Sequence, residues 1–243
     1  MLRPLHALLP WSLAALAATA GAADIGLQPT TIQFDARTQR GTVQVHNRGN
    51  EPVTLQADGQ GWVRQDGQDV ESPQHRLMIN PPLFTVAPGA TQLVRVGLRG
   101  GADDERETLY RLVLRELPPA PSAGPSLVSG QVRVLVALRL PVYVAPRNVR
   151  RDSQWAIERA DDGRYVARVT NTGNVHLRLA GLRVQDSAAS TTWAEHGPMA
   201  PLFPGETRRL ALRADTPLPD RPLRMELRTA DEVRHVDVAL ASR

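Results

Sequence analysis

The side chains of this 243-residue sequence with reactive potential are six histidines, a pair of glutamates and many arginines. His6, His46, His75, His176, His196 and His235 stand singly. None has a second histidine four residues away with a glutamate beside it, the spacing that gathers two imidazoles and a general base around zinc on one helical face. No metal site is expected. No Gly-x-Ser-x-Gly elbow raises a serine nucleophile, and no glycine-rich loop follows a strand to cradle phosphate. Cysteine is absent, which removes thiol nucleophiles and disulfides together. Glu105 and Glu107 resemble a carboxylate pair but stand in Asp103-Asp-Glu-Arg-Glu, which reads more simply as a solvated loop. The expectation is a protein without cofactor, nucleotide or covalent chemistry, and therefore not an enzyme.

Recognition chemistry is what remains. Every basic residue is arginine and none is lysine, and the arginine fork matches a carboxylate well. The acidic residues are interleaved with these arginines and the formal charge is only +4, so there is no continuous basic stripe for nucleic acid.

The element best suited to present such groups is Gln131 to Pro146, QVRVLVALRLPVYVAP. In an extended chain Val132, Val134, Val136, Leu138 and Leu140 share one side, and Gln131, Arg133, Leu135, Ala137 and Arg139 the other. Pro141, which has no N–H, is expected to stop the strand or lie on an edge. The valines fit equally well in the core of their own sandwich or in a groove on another chain.

Met1 to Ala22 has an n-region with Arg3, an apolar stretch from Ala7 to Ala18 and a small-residue end, Ala20-Gly21-Ala22. That is the pattern of a secretory signal peptide cleaved after Ala22. No later segment reaches about 18 apolar residues, so an exported protein without membrane insertion is expected. Lacking cysteine, it must be held by packing alone.

From Ile25 onward short alternating runs are broken by turn residues at the spacing of an all-β sandwich, with no long amphipathic helix. Strands are expected over 41–46, 53–57, 77–79, 92–98 and 109–117, and in the opening stretch. The second half repeats the grammar. Val169-Thr-Asn-Thr-Gly-Asn echoes Val45-His-Asn-Arg-Gly-Asn, and Phe203-Pro-Gly-Glu-Thr-Arg-Arg-Leu echoes Ala87-Pro-Gly-Ala-Thr-Gln-Leu-Val. Two like sandwiches are inferred, one closing near Pro146 and the other with strands over 164–169, 175–184, 207–214, 223–229 and 233–240. The basic hinge Pro146-Arg-Asn-Val-Arg-Arg151 would join them.

Read together, Asn47-Arg-Gly-Asn, Asn80-Pro-Pro-Leu-Phe, Ala87-Pro-Gly-Ala-Thr-Gln-Leu-Val-Arg, Glu107-Thr-Leu-Tyr-Arg, Arg115-Glu-Leu-Pro-Pro and the strand ending at Pro146 resemble the periplasmic pilus chaperones. The Tyr-Arg pairing looks most like the branch that assembles archaic, spore-coat-U-type fimbriae. The resemblance implies two immunoglobulin-like β-sandwiches set as a boomerang, with a signal peptide over 1–22, an N-terminal domain over 23–146 and a C-terminal domain over 147–243. It implies a periplasmic protein that lends a strand to fimbrial subunits lacking their own last strand and delivers them to an outer-membrane usher. It leaves open whether the free protein is a monomer or caps its edge by dimerising.

The residues that the resemblance assigns to the donated face are Val132, Val134 and Val136, with Leu138 at the core-ward end. The proline-, glycine- and serine-rich loop from Pro118 to Ser129 is expected to be ordered by the subunit. The best-known relatives hold the subunit's terminal carboxylate with an arginine and a lysine, at positions that align here with Thr31 and Pro141. Neither offers charge, so Arg111 and Arg139 are expected to replace them as the anchor. Arg95 and Glu107 align with an interdomain ion pair. Its third, basic member is missing near Ala145, with Arg147 or Arg150 as substitutes. Trp62 and Tyr110 are expected to fill sandwich cores. The alternative is a secreted structural or adhesive immunoglobulin-like pilus component, for which Ala23 to Leu27 is too short a donor extension.

Overall fold

The structure, a computed structural model, describes residues 24–103, 105–119, 134–186, 191–230 and 232–240, and among them no helix forms. The first half supplies β1 (Ile25–Gln28), β2 (Ile32–Phe34), β3 (Arg40–Asn47), β4 (Val53–Gln65), β5 (Gln68–Pro73), β6 (Leu77–Asn80), β7 (Leu83–Val86), β8 (Thr91–Leu98), β9 (Thr108–Glu116) and β10 (Ala137–Val144). One sheet runs β1-β3-β8-β6; the facing sheet runs β2-β10-β9-β4-β5, with β7 also on β4. The period-two pattern decides which residues enter the space between them. Val43 and Val45 of β3, Val94 and Val96 of β8, Leu112 and Leu114 of β9 and Leu140 and Val142 of β10 all lie in one core. Each such burial contributes about 1.5–3 kcal/mol.

The second half supplies β11 (Ser153–Arg159), β12 (Tyr165–Asn171), β13 (Gly181–Asp186), β14 (Thr192–His196), β15 (Thr207–Ala211), β16 (Leu223–Arg228) and β17 (Val233–Val238). They form sheets ordered β11-β12-β15 and β14-β13-β16-β17. A separate core between them includes Ile157, Val169, Leu182, Val184, Leu210 and Met225.

The repeated sequence words fold alike. Asn47 Nδ2 donates to the Glu51 and Val86 carbonyls, while Gly49 N donates to Asn47 Oδ1. Asn171 does the same in the second domain, with Val175, Leu202 and Gly173. Each Pro-Gly turn closes onto its asparagine, Gly89 N on the Asn47 carbonyl and Gly205 N on that of Asn171. Both asparagines are fully buried, and these bonds satisfy them there.

Several strands differ from expectation. β5, β7, β11 and β14 were not marked by the sequence pattern. The run expected over 175–184 is a strand only from Gly181, because Leu177 turns aside to bridge Leu202. β10 continues through Pro141 to Val144, for a reason that lies in its edge.

Candidate functional site

The strand expected from Gln131 begins, among the described residues, only at Ala137, with residues 134–136 leading into it unassigned to any strand, and the apolar face that continues from this lead-in along β10 runs out of its own core. Leu140 is 2% exposed, Leu138 is partly buried against the same core, and Val134 is 54% exposed. Val136 lies between, half-buried. Val132 and most of the Pro118 to Ser129 loop lie outside the described residues, as does the expected signal peptide.

The backbone of β10 is equally unfinished. Glu116 N donates to the Val136 carbonyl at 2.9 Å, and Val136 N donates to Glu116 Oε2 at 3.2 Å. Antiparallel pairs alternate, so Val136, Leu138 and Leu140 bond toward β9 while Ala137, Arg139 and Pro141 turn to the other edge. Among the described residues that edge is covered by β2 only from Val142 to Val144, after which Ala145 N reaches the Phe34 carbonyl. The free stretch therefore offers the N–H and C=O groups of Ala137 and Arg139. Pro141 sits with its missing N–H toward the open edge, where no strand of this sheet needs it.

Across the opposite face of the same sheet the two arginines expected to serve as an anchor converge. The tight turn Asp66-Gly67, with φ of 50° and 76°, sends the chain from β4 back along β5. The resulting register sets Glu71 opposite Trp62 and Asp69 opposite Arg64. Arg111 on β9 donates from Nη1 to Glu71 Oε1 at 2.7 Å and from Nη2 to Asp69 Oδ2 at 2.5 Å. Its guanidinium lies 4.1 Å over the Trp62 ring. Arg139 donates from Nε to Glu71 Oε1 at 3.2 Å. The Arg111 hydrogen bond holds the Glu71 carboxyl below its usual range against the opposing effect of burial. For Asp69 burial alone would raise the value, but hydrogen bonds led by that from Arg111 outweigh it. Arg111 and Arg139 are thus brought together, already carrying the chain's own carboxylates.

Trp62 is not a core residue of either sandwich. It packs with Leu109, Tyr143 and Phe203 in a small cluster between the domains, edge-on to Phe203 at 5.1 Å. The Arg64 guanidinium also lies over the Phe203 ring. Tyr110 does enter the first core.

The expected Arg95–Glu107 ion pair does not form among the described residues. Arg95 projects to solvent from β8, between Thr42 and Asn80, on the sheet away from the second domain. The Glu107 side chain, 3% exposed, instead receives His176 N at 2.9 Å and lies 2.9 Å from His176 Nδ1. Tyr143 stacks on the His176 ring, their centroids 4.0 Å apart, and burial followed by the nearby Glu107 charge pushes its phenol pKa up. Beside it Asn174 Nδ2 donates to the Glu105 and Asn148 carbonyls, its Oδ1 accepts from Arg150 N, and Glu107 N donates to its carbonyl. His176 carries no spacing signal of its own. Its clue is its place just after the second Asn-x-Gly-Asn turn, which in the first domain faces solvent and here is pressed into the junction.

The fold and these features define a two-domain, immunoglobulin-like protein whose first sandwich ends in an incomplete apolar edge beside an arginine cluster. Residues 24–150 match the pili and flagellar-assembly chaperone family, PapD N-terminal domain, and the chain belongs to that family. It is 27% identical over 207 residues to the chaperone protein FimB/FhaD of Bordetella pertussis, covering 79% of this chain and 80% of that one. Among solved structures it is similar to the CsuC–CsuE chaperone–tip adhesion subunit complex of archaic Csu pili of Acinetobacter baumannii. The TM-score there is 0.57 at 16% identity, over 90% of this chain and 100% of the other. The Pseudomonas aeruginosa CupB2 chaperone gives 0.55 at 20% identity, over 88% and 100%. The family is one of assembly chaperones, and the reading as a structural or adhesive pilus component is not favoured.

Proposed function

We propose that this chain is a periplasmic chaperone of the archaic type, made with a signal peptide over residues 1–22 and two domains over 23–146 and 147–243. It binds fimbrial subunits by donor-strand complementation, prevents their aggregation and passes them to an outer-membrane usher. The observation that carries the reading is the apolar face leading into β10, which passes from 2% exposure at Leu140, inside the strand, to 54% at Val134, three residues before its start, beside a backbone edge that no other described strand covers before Val142. A subunit missing its last strand exposes an apolar groove and unpaired backbone, a template for aggregation. Val132, Val134, Val136 and Leu138 fill such a groove, and the Ala137 and Arg139 backbone groups complete its ladder. Three or four such side chains contribute about 5–12 kcal/mol before ordering costs. Arg111 and Arg139 take the subunit's terminal carboxylate. No catalytic step is involved.

The test is Val134→Arg, which places a charge in that groove. A co-expressed fimbrial subunit should be degraded or aggregate while the chaperone keeps its own Tm, because Val134 lies outside its core. Equal recovery of the subunit with variant and wild type would refute the donor role.

A further inference from the structure

Two carboxylates stand where a third is expected. Arg111 gives one nitrogen to Glu71 and another to Asp69, so neither carboxylate takes the guanidinium with both of its oxygens. The two-pronged arrangement that best suits arginine and carboxylate is left unmade. Arg139 gives Glu71 its Nε alone. The acidic and basic members of the cluster are also held differently. Arg111 is 16% exposed and fixed against the Trp62 face, on a central strand flanked by β4 and β10. Asp69 and Glu71 are more exposed, at 34% and 23%, on β5, which ends the sheet and among the described residues pairs only with β4, although Asp69 also accepts from Arg64 Nε at 3.0 Å. Moving them uncovers no apolar surface, whereas moving Arg111 would uncover the Trp62 face.

We propose that Asp69 and Glu71 are internal stand-ins for a terminal carboxylate, and that a carboxylate on a bound chain enters by displacing them from Arg111 and Arg139. This rests on the reading of the two arginines as the anchor. Glu71, shared by both arginines, then sets selectivity. A weakly placed carboxylate does not exchange with it. One delivered at fixed distance by a strand paired along β10 does, because pairing raises its local concentration at the arginines. The empty cleft is thereby kept charge-balanced and closed to small anions. The captured chain must present both strand and terminus.

The experiment uses the full mature chain and acetate as the probe, with chloride at equal ionic strength and acetamide as controls. The Arg111 Nε–H and Trp62 Nε1–H signals are followed by 1H–15N NMR. Glu71→Gln, and separately Asp69→Asn, should lower the acetate concentration that half-shifts these signals by about tenfold or more, with acetamide inert throughout. Equal acetate midpoints in the wild type and both variants would overturn the proposal. So would loss of the Arg111 Nε–H signal in both variants, which would make the carboxylates structural supports for the arginine. No subunit is needed, so failure of Val134→Arg to affect subunit recovery would remove the donor reading while leaving the exchange measurement to be judged separately. In a complex with a fimbrial subunit, Glu71→Gln should also slow dissociation several-fold. A subunit lengthened by one residue, whose carboxylate is misplaced, should not gain.

Discussion

Replacing Glu107 with alanine tests whether the two domains are held by directional bonds or only by contact. The carboxylate is almost wholly buried and accepts from both the backbone and the ring of His176. A hydrogen bond to a carboxylate contributes about 1.5–3 kcal/mol, and leaving the His176 N–H buried without an acceptor costs about 1–3 kcal/mol. Water entering the vacated space recovers part of this, so a net loss of about 2–4 kcal/mol is expected. For a protein of this length that corresponds to a fall in Tm of about 4–16 °C. Glu107→Gln keeps an acceptor for the backbone N–H and should lose less than half as much. A double-mutant cycle with His176→Ala, read by urea unfolding, should return a coupling above about 1 kcal/mol. A Tm for Glu107→Ala within 1 °C of wild type, or a coupling indistinguishable from zero, would refute the reasoning and leave the aromatic cluster as the whole joint.

Gly173→Ala should be far worse than Gly49→Ala, although both glycines occupy the same turn. A Cβ at 173 would lie 2.4 Å from the Arg150 carbonyl oxygen, whereas at 49 the nearest atom is Asn47 Oδ1 at 3.2 Å. Losses of about 2–3 and under about 1 kcal/mol are expected from urea unfolding, and equal losses would mean that the junction yields freely. Arg111→Ala should weaken binding of a fimbrial subunit more than tenfold with the fold intact, while Arg115→Ala, farther along β9, should change it little in the same assay. The Asp69 and Glu71 carboxyls are held below their usual values, so their contacts with Arg111 add stability that is fully present above about pH 4.3 and is lost as pH falls through the lower folded values. Trp62 fluorescence should accordingly be steady from pH 7 to about 4.5 and change below. A transition centred above pH 5 would contradict that assignment.

The strands most legible in the sequence are those with one wet and one dry face. β3 and β8 alternate cleanly because each buries every second residue, and the pattern locates them to within a residue or two. β5 has no dry face, since every residue except Glu71 is exposed, so its six residues show no period. Its one local signal was Asp66-Gly67, a dipeptide that favours a two-residue hairpin. The duplicated turns were readable because a buried asparagine that must bond two carbonyls allows few alternatives. What they touch was not readable. Pairing Arg95 with Glu107 matched opposite charges along an alignment, whereas the fold places one on an outer sheet and turns the other toward the second domain. Convergence of Arg111 and Arg139 was foreseeable from alternation on adjacent strands. Their occupation by Glu71 was not, because it depends on where an unmarked hairpin lies.

The Asn174–His176 turn has a mechanical consequence. Aromatic faces such as Trp62 against Phe203 permit sliding at little cost, but bonds from one side chain to the Glu105 and Asn148 carbonyls fix direction as well as distance. The elbow between the sandwiches is therefore stiff before anything binds. A chain entering the cleft meets walls already set at their working angle, and its contact energy is not drained into arresting a loose joint.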